Sequence, residues 1–385
     1  MTTLTYQAET VAHLAQAEWA LNITWADGSS NQFHYIWLRD NCPSPESRHP
    51  NGQKILETVS IPVDIRPRSV KLTEAGDIEI VWANDGHISH FAPDWLRRHA
   101  YPAKGRVKPA HSVTLWGAKL AKNLPEAAYA DVWPNHQALG NWLALVRQYG
   151  VAILHGVPAE PGAIFKVVDL FGYVRETNYG RLFDVKSVTN PNNLAYTGLA
   201  LSPHTDNPYR DPVPTLQLLH CLASSVDGGD SIIVDGFKVA ETIRQREPDK
   251  FELLSTVPVR FQFRDKEADL SAEAPIISLN HRGEVAAIRF NNRSIAPFDF
   301  EADLMEPYYA AYRTFAAMLD SPEFQVCFKL ESGSLFIVDN QRVLHGRTGF
   351  SSSGSRHLQG CYADRDGLYS RLAVLERVNS QDLGD

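Results

Sequence analysis

The sequence predicts a mixed, mainly β protein: a jelly-roll domain with flanking helices, preceded by a small β-rich domain. Two observations carry this. Short strand-like runs separated by turn residues recur along most of the chain, while helical spacing is confined to a few stretches. The residues best suited to a common site, His204, Asp206 and His345, are distant in sequence and fall on different expected strands. A sheet that unites them has to fold back on itself, as a jelly roll does.

In the first domain, residues 1–105, Leu21, Ile23 and Trp25 alternate before Ala26-Asp27-Gly28-Ser29, and Phe33, Tyr35 and Trp37 alternate after it. Asp-Gly between two such runs signals a hairpin. Ile78, Ile80 and Trp82 repeat the pattern before Asp85-Gly86, and a short helix is expected from Ala92 through Leu96. Pro102, Lys104, Gly105, Lys108 and Pro109 read as a linker. In the second domain, residues 114–385, Leu139, Trp142, Leu143 and Val146 recur at helical spacing, Gly150 sits where a helix ends, and residues 151–154 make a buried strand. Residues 165–171 are expected to form a second helix. Strands then crowd the chain at 216–222, 231–234, 257–263, 284–290, 334–338 and 358–362, with a helix over 303–319 as an insertion or packing layer. There is no internal repeat or low-complexity segment.

Among the fourteen histidines, His204 alone is followed two places on by a carboxylate. On an extended strand, residues two apart share a face. The apolar strand 334–338 is expected to deliver His345 just past its end. Two imidazoles and one carboxylate on one side of a metal leave the other side open, which is the facial triad of non-haem Fe(II) oxygenases. A lone His-x-Asp also fits a capped turn around a satisfied core histidine. Arg356, eleven residues after His345 and followed by Leu358, Gly360 and Tyr362 in alternation, is an element that such a turn does not require.

Composition narrows the class. At 385 residues and 44% apolar, the chain has the make-up of a soluble globular protein, and no apolar run approaches the ~20 residues needed to span a bilayer. Residues 1–16 carry Glu9 and neither Lys nor Arg, unlike a secretory signal or transit peptide, so the expected location is cytoplasmic. A formal charge of −8, with both signs interspersed, argues against nucleic acid or an anionic membrane as partner. Cys42, Cys221, Cys327 and Cys361 are far apart and fit reduced thiols.

Seven stretches bear on the family: Leu38-Arg39-Asp40-Asn41-Cys42-Pro43, Asn192-Asn193-Leu194-Ala195-Tyr196-Thr197, His204-Thr205-Asp206, Gly228-Gly229-Asp230-Ser231, Phe336-Ile337-Val338-Asp339-Asn340, Leu344-His345-Gly346-Arg347 and Ser355-Arg356-His357-Leu358. In order and spacing, the chain resembles the γ-butyrobetaine hydroxylase branch of the TauD-like Fe(II)/2-oxoglutarate dioxygenases over nearly its whole length. The resemblance implies a double-stranded β-helix catalytic domain behind a small N-terminal domain, a homodimer, Fe(II) as cofactor, and 2-oxoglutarate and O2 as co-substrates. It implies His204, Asp206 and His345 as iron ligands, Arg356 as the partner of the far carboxylate of 2-oxoglutarate, and Ser231 as a hydroxyl near that co-substrate. Tyr179, Phe183, Tyr196 and Tyr362 fall on positions similar to the family's aromatic cage, and Asn193 and Asn292 where it holds the substrate's acidic end. A quaternary ammonium has no N–H to donate, so only shape and ring quadrupoles hold it, at ~0.5–2 kcal/mol per face. Isolated aromatics are more often core, and it is the neighbouring triad that gives these four a substrate role.

The chain also departs from the family. Many relatives hold a zinc in the N-terminal domain through three cysteines and one histidine; here Cys42 and His87 remain, but Ser44 and Ser47 stand at the other two positions, and hydroxyls are poor replacements for thiolates. No structural zinc is expected. Asn207 follows Asp206 where an apolar residue is more usual, and Arg293 adds a cation beside Asn292. Together they suit a head group more highly charged than a carboxylate, such as a phosphonate. The expectation is therefore hydroxylation of a C–H bond in a small trimethylammonium acid, γ-butyrobetaine-like. Two alternatives stay open: 2-(trimethylammonio)ethylphosphonate as substrate, and a non-catalytic jelly roll that binds quaternary ammonium.

Overall fold

Alternating apolar residues build two three-stranded antiparallel sheets at the start of the chain: β1 (Val11–Gln16), β2 (Ala20–Trp25) and β3 (Ser30–His34), then β4 (Pro67–Leu72), β5 (Ile78–Trp82) and β6 (Ile88–Phe91). This is a computed structural model describing residues 10–101, 113–186, 199–351 and 354–381, and the backbone divides into two units, Met1–Ala110 and His111–Asp385. Leu21, Ile23, Trp25, Phe33, Ile78, Ile80 and Trp82 form one core in the first unit. The expected alternation of Phe33, Tyr35 and Trp37 is corrected. The strand ends at His34, and Tyr35–Asp40 is helical, so that Tyr35 and Leu38, three apart, are the apolar residues buried. So short an apolar run fits either period, and packing decided it.

The first unit also contains the remnant of the zinc ligand set. Cys42 Sγ lies 3.2 Å and Ser44 Oγ 3.3 Å from His87 Nε2. Ser89 donates to Cys42 Sγ at 3.0 Å, and Arg39 donates to Ser47 Oγ at 3.0 Å. One thiol, one imidazole and two hydroxyls already engaged with protein groups do not fit a tetrahedral zinc.

In the second unit three central strands, Val151–His155, Ser231–Asp235 and Leu335–Asp339, read as nearly continuous apolar runs because both of their faces are buried. The larger sheet runs β10 (Phe183–Lys186), β21 (Arg356–Ala363), β12 (Leu216–Ser224), β19 (Leu335–Asp339), β8 (Val151–His155), β7 (Glu126–Ala128), with β9 (Val174–Arg175) beside β21. The smaller runs β11 (Leu201–His204), β20 (Val343–Arg347), β13 (Ser231–Asp235), β18 (Gln325–Phe328). Alternate residues serve two cores. Ile153, Phe336 and Val338 from the larger sheet meet Ile233, Val326 and Val343 from the smaller, while Ala152, Leu154, Leu335 and Ile337 turn outward to the helices His136–Tyr149, Ala163–Val168 and Arg365–Gln381. On the far side of the smaller sheet, Val234 and Leu344 pack under the helices Gly236–Arg246, Pro248–Thr256 and Ala302–Leu319. Two short hairpins complete that layer, β14 (Val259–Arg264) with β15 (Asp269–Ala274) and β16 (Ile277–Leu279) with β17 (Val285–Ile288). Two facing sheets covered by helices are the double-stranded β-helix expected from the sequence.

Candidate active site

The register of the smaller sheet brings the triad together. β11 and β20 are antiparallel, with His204 directly opposite His345, and their imidazole centroids lie 4.6 Å apart. His345 therefore sits inside a strand of the smaller sheet. The expected strand, Leu335–Asp339, leads to it through a turn after Asp339 that carries the chain across to the other sheet. Asp206 follows His204 by two residues, and Asn340 grips its main chain from both sides: its Oδ1 accepts from Asp206 N at 2.7 Å and its Nδ2 donates to Asp206 O at 2.9 Å. Asp206 Oδ1 is 3.4 Å from His204 Nε2 and 3.8 Å from His345 Nε2. Among the described residues this is the only group of three or more His, Cys, Asp or Glu side chains whose ligand atoms converge, all within 4.8 Å of one another.

The protonation states suit a metal. His204 Nδ1 donates to Ser202 O at 2.8 Å, which leaves the Nε2 lone pair facing the centre. Burial, then the neighbouring His204, pushes the His345 imidazole down to about 3, so it is neutral at physiological pH. Burial alone would raise the Asp206 carboxyl. The neighbouring imidazoles of His204 and His345 and the Tyr362 hydroxyl outweigh it, and Asp206 stays well below the usual carboxylate range. Donors about 2.1 Å from a common ion at right angles lie about 3 Å apart, so these separations and this donor set fit a divalent metal of the Fe(II) type.

One cavity of about 500 Å³ opens on the triad, and it gathers Tyr179, Phe183, Asn207, Ser231, Arg293, Arg356 and Tyr362 along its wall. The rings form a chain: Tyr362 to Phe183 at 5.2 Å, Phe183 to Tyr179 at 6.3 Å, Tyr179 to Phe263 at 5.9 Å, and Phe263 stacked on Tyr209 at 5.0 Å. Gly360, paired across the sheet with Phe183, makes this possible, since a Cβ there would collide with the Phe183 ring. Arg356 shows no ion pair with a described residue. Gly229, at φ +69°, lets the turn before Ser231 run against its side chain, where a Cβ would come within 3.1 Å of Arg356 Nε. Arg293 presents its surface to the cavity, and burial lowers its pKa against the charges of Asp206, Tyr179 and Tyr209.

Asn207 has the clearest unmet demand. It is 3% exposed and at φ 52°, a left-handed conformation that Asn tolerates better than most residues, and neither its Oδ1 nor its Nδ2 has a protein partner. Asn292, by contrast, is corrected. It does not line the cavity, and its Oδ1 accepts from the Tyr312 hydroxyl at 2.9 Å. At this turn Asn291 is the asparagine on the cavity wall, and its side chain serves the Thr205 carbonyl and the Arg293 amide. Asn193 and Tyr196 lie outside the described residues.

Sequence reasoning missed Tyr209, Phe263, Arg347 and Gln217, all on the cavity wall. Gln217 had a signal, as the one amide in a mainly apolar strand. Phe263 had none, being one of two alternating phenylalanines on β14.

Comparison with known proteins agrees with this geometry. The family described as taurine catabolism dioxygenase TauD, TfdA family matches residues 108–362, and that described as gamma-butyrobetaine hydroxylase-like, N-terminal, matches residues 12–105. The gamma-butyrobetaine dioxygenase of Pseudomonas sp. (strain AK-1) is 41% identical, covering 93% of this chain and 94% of its own. The human gamma-butyrobetaine dioxygenase is 33% identical, covering 95% of each. The mitochondrial trimethyllysine dioxygenase of Rattus norvegicus is 32% identical, covering 89% of this chain and 83% of its own. The non-catalytic alternative loses its support against a complete triad and relatives that are dioxygenases. With the triad, the fold and these likenesses in agreement along nearly all its length, the chain belongs to the taurine catabolism dioxygenase TauD, TfdA family and is an Fe(II)/2-oxoglutarate-dependent dioxygenase.

Proposed function

We propose that the chain hydroxylates an aliphatic C–H of a small trimethylammonium compound with an acidic head group. The supporting observation is the aromatic wall that shares one cavity with the triad. Fe(II) bound by His204, Asp206 and His345, with 2-oxoglutarate and O2, supplies the oxidising power, and the keto acid leaves as succinate and CO2. The protein supplies position and dryness. Arg356 holds the far carboxylate of 2-oxoglutarate as a charge-assisted pair. Tyr179, Phe183 and Tyr362, with Tyr196 by resemblance, enclose the ammonium. Ser231 lies against the co-substrate and Asn193 against the acid end, both by resemblance. With the two ends fixed, the middle of the substrate faces the metal. The reading includes a homodimer, by resemblance, and a cytoplasmic location, with which four free cysteines are consistent. No helix among the described residues is long and apolar enough to cross a membrane.

A second reading concerns the head group, and Asn207 and Arg293 favour it. A buried amide with both atoms unpartnered, together with a cavity-facing guanidinium, offers more donors and more charge than a carboxylate uses. A phosphonate, with three oxygens and greater charge, satisfies both. The test is side-by-side turnover of γ-butyrobetaine and 2-(trimethylammonio)ethylphosphonate, scored by hydroxylated product. The phosphonate should win on kcat/KM, and Arg293→Ala should cost it about tenfold more than the carboxylate. Preference for the carboxylate with an indifferent Arg293→Ala would rule out the phosphonate, and no hydroxylation of any trimethylammonium acid would rule out the broader reading.

A further inference from the structure

We propose that Tyr362 and Gln217 are paired positioning residues that restrict Asp206 to a single metal-facing oxygen, and that Tyr362 also couples this restraint to the substrate compartment. Asp206 Oδ1 faces the two imidazoles. Its Oδ2 is turned away and receives two donors, the Tyr362 hydroxyl at 2.8 Å and the Gln217 side-chain amide. They arrive together because β12 and β21 pair Gln217 with Tyr362 at the same rung, which puts both side chains on the inner face of the larger sheet.

The orientation of Gln217 supports the assignment. Its Oε1 is buried without a partner, so the carboxylate is what its amide serves. Flipping the amide would set one acceptor against another. With the main chain of Asp206 gripped by Asn340, the carboxylate is fixed at two points, and rotation about its last bond is what the two donors remove. That rotation matters chemically. A carboxylate binding through both oxygens takes a fourth metal position, and a keto acid that chelates plus O2 needs three.

Tyr362 has a second neighbour. Its ring sits 5.2 Å from Phe183 on the aromatic wall. A cation packed on that wall therefore bears on a side chain hydrogen-bonded to a metal ligand. The first half of the inference needs the metal site alone, and the second rests on the substrate reading above.

The test uses the full-length, metal-free protein titrated with Co(II), whose visible absorption reports both affinity and coordination. Tyr362→Phe removes one hydroxyl and keeps the ring. Gln217→Leu removes the amide, with Gln217→Glu in reserve if Gln217→Leu does not fold. Each change should weaken Co(II) binding about tenfold or more and alter the Co(II) spectrum, with the unfolding midpoint of the metal-free protein unchanged. Affinity within twofold of the parent in either variant overturns the paired restraint, as does a loss matched by a lower metal-free midpoint. A parent that takes up no Co(II) overturns the metal site itself. In turnover, Tyr362→Phe should release more succinate per hydroxylated product. A 1:1 ratio there, alongside weakened Co(II) binding, overturns the coupling to substrate.

Discussion

The two units of the chain each gather metal-ligating residue types, and the two clusters differ in where their hydrogen bonds end. Around Cys42 the polar groups meet one another: Ser89 donates to the thiol, the thiol and Ser44 both lie on His87 Nε2, and Ser47 receives Arg39. Around Asp206 the ties run to the far atoms only. His204 is held at Nδ1 and Asp206 at Oδ2 and its main chain, while three ligand atoms are left crowding one point beside a cavity. A ligand set is marked by what it leaves unsatisfied on one side and by what it fixes on the other.

Breaking each cluster should produce opposite phenotypes. His345→Ala removes a lone pair whose purpose is a metal, and turnover should fall about 10³-fold or more, since even the groups behind a metal ligand are worth 10–100-fold. Its folding should change little, because His345 Nδ1 has no protein partner to lose. Cys42→Ala removes a group that others lean on, taking the acceptor from the buried Ser89 hydroxyl, which keeps only the Trp82 indole as partner, at a cost of about 1–3 kcal/mol, with kcat within twofold of the parent. Product assays and denaturant unfolding on both variants check this. A Cys42→Ala protein as inactive as His345→Ala would erase the distinction.

Arg356 sharpens the comparison with a smaller effect. In the first unit Arg39 has internal partners, Ser47 and Asp85, whereas Arg356 has no ion pair with a described residue and faces the cavity. Removing a charge whose partner is a bound carboxylate costs about 2–5 kcal/mol. Arg356→Ala should therefore raise the KM for 2-oxoglutarate about 100-fold, and succinate release against 2-oxoglutarate concentration reads it. An unchanged KM would mean that another cation on the cavity wall, such as Arg347, carries that role.

How far the sequence revealed these clusters follows from the kind of signal each residue carries. His204 and Asp206 were legible because a strand repeats every two residues. Tyr179, Phe183 and Tyr362 were legible by resemblance, and the structure gathers all three on one wall. Asn292 was expected at the acid end, and the structure places it off the cavity wall. In a turn, no periodicity says which of two adjacent asparagines faces inward, and here a hydroxyl from Tyr312 draws Asn292 away. Gln217 was legible only as an anomaly, because its partner, Oδ2 of Asp206, is set by strand register, which a single sequence does not print. β9 and β10, of two and four residues, are too short to carry a period at all.

The smallest expected effect tests the quieter cluster. If the network around Cys42 and His87 is complete without a metal, a chelator has nothing there to remove. Amide hydrogen exchange in β2 and β5, which enclose the first unit's core, should be the same before and after exhaustive chelation. Ser44→Cys combined with Ser47→Cys returns a three-thiol, one-imidazole set, and that variant should bind one further zinc per chain and exchange more slowly in the same strands, with the gain lost on chelation. The gain should be modest, because Arg39 must give up its bond to Ser47 before that position can turn inward. Slowed exchange in the parent on adding zinc would show instead that two serines and a water can complete the site, and the contrast between the clusters would then be one of affinity and not of kind.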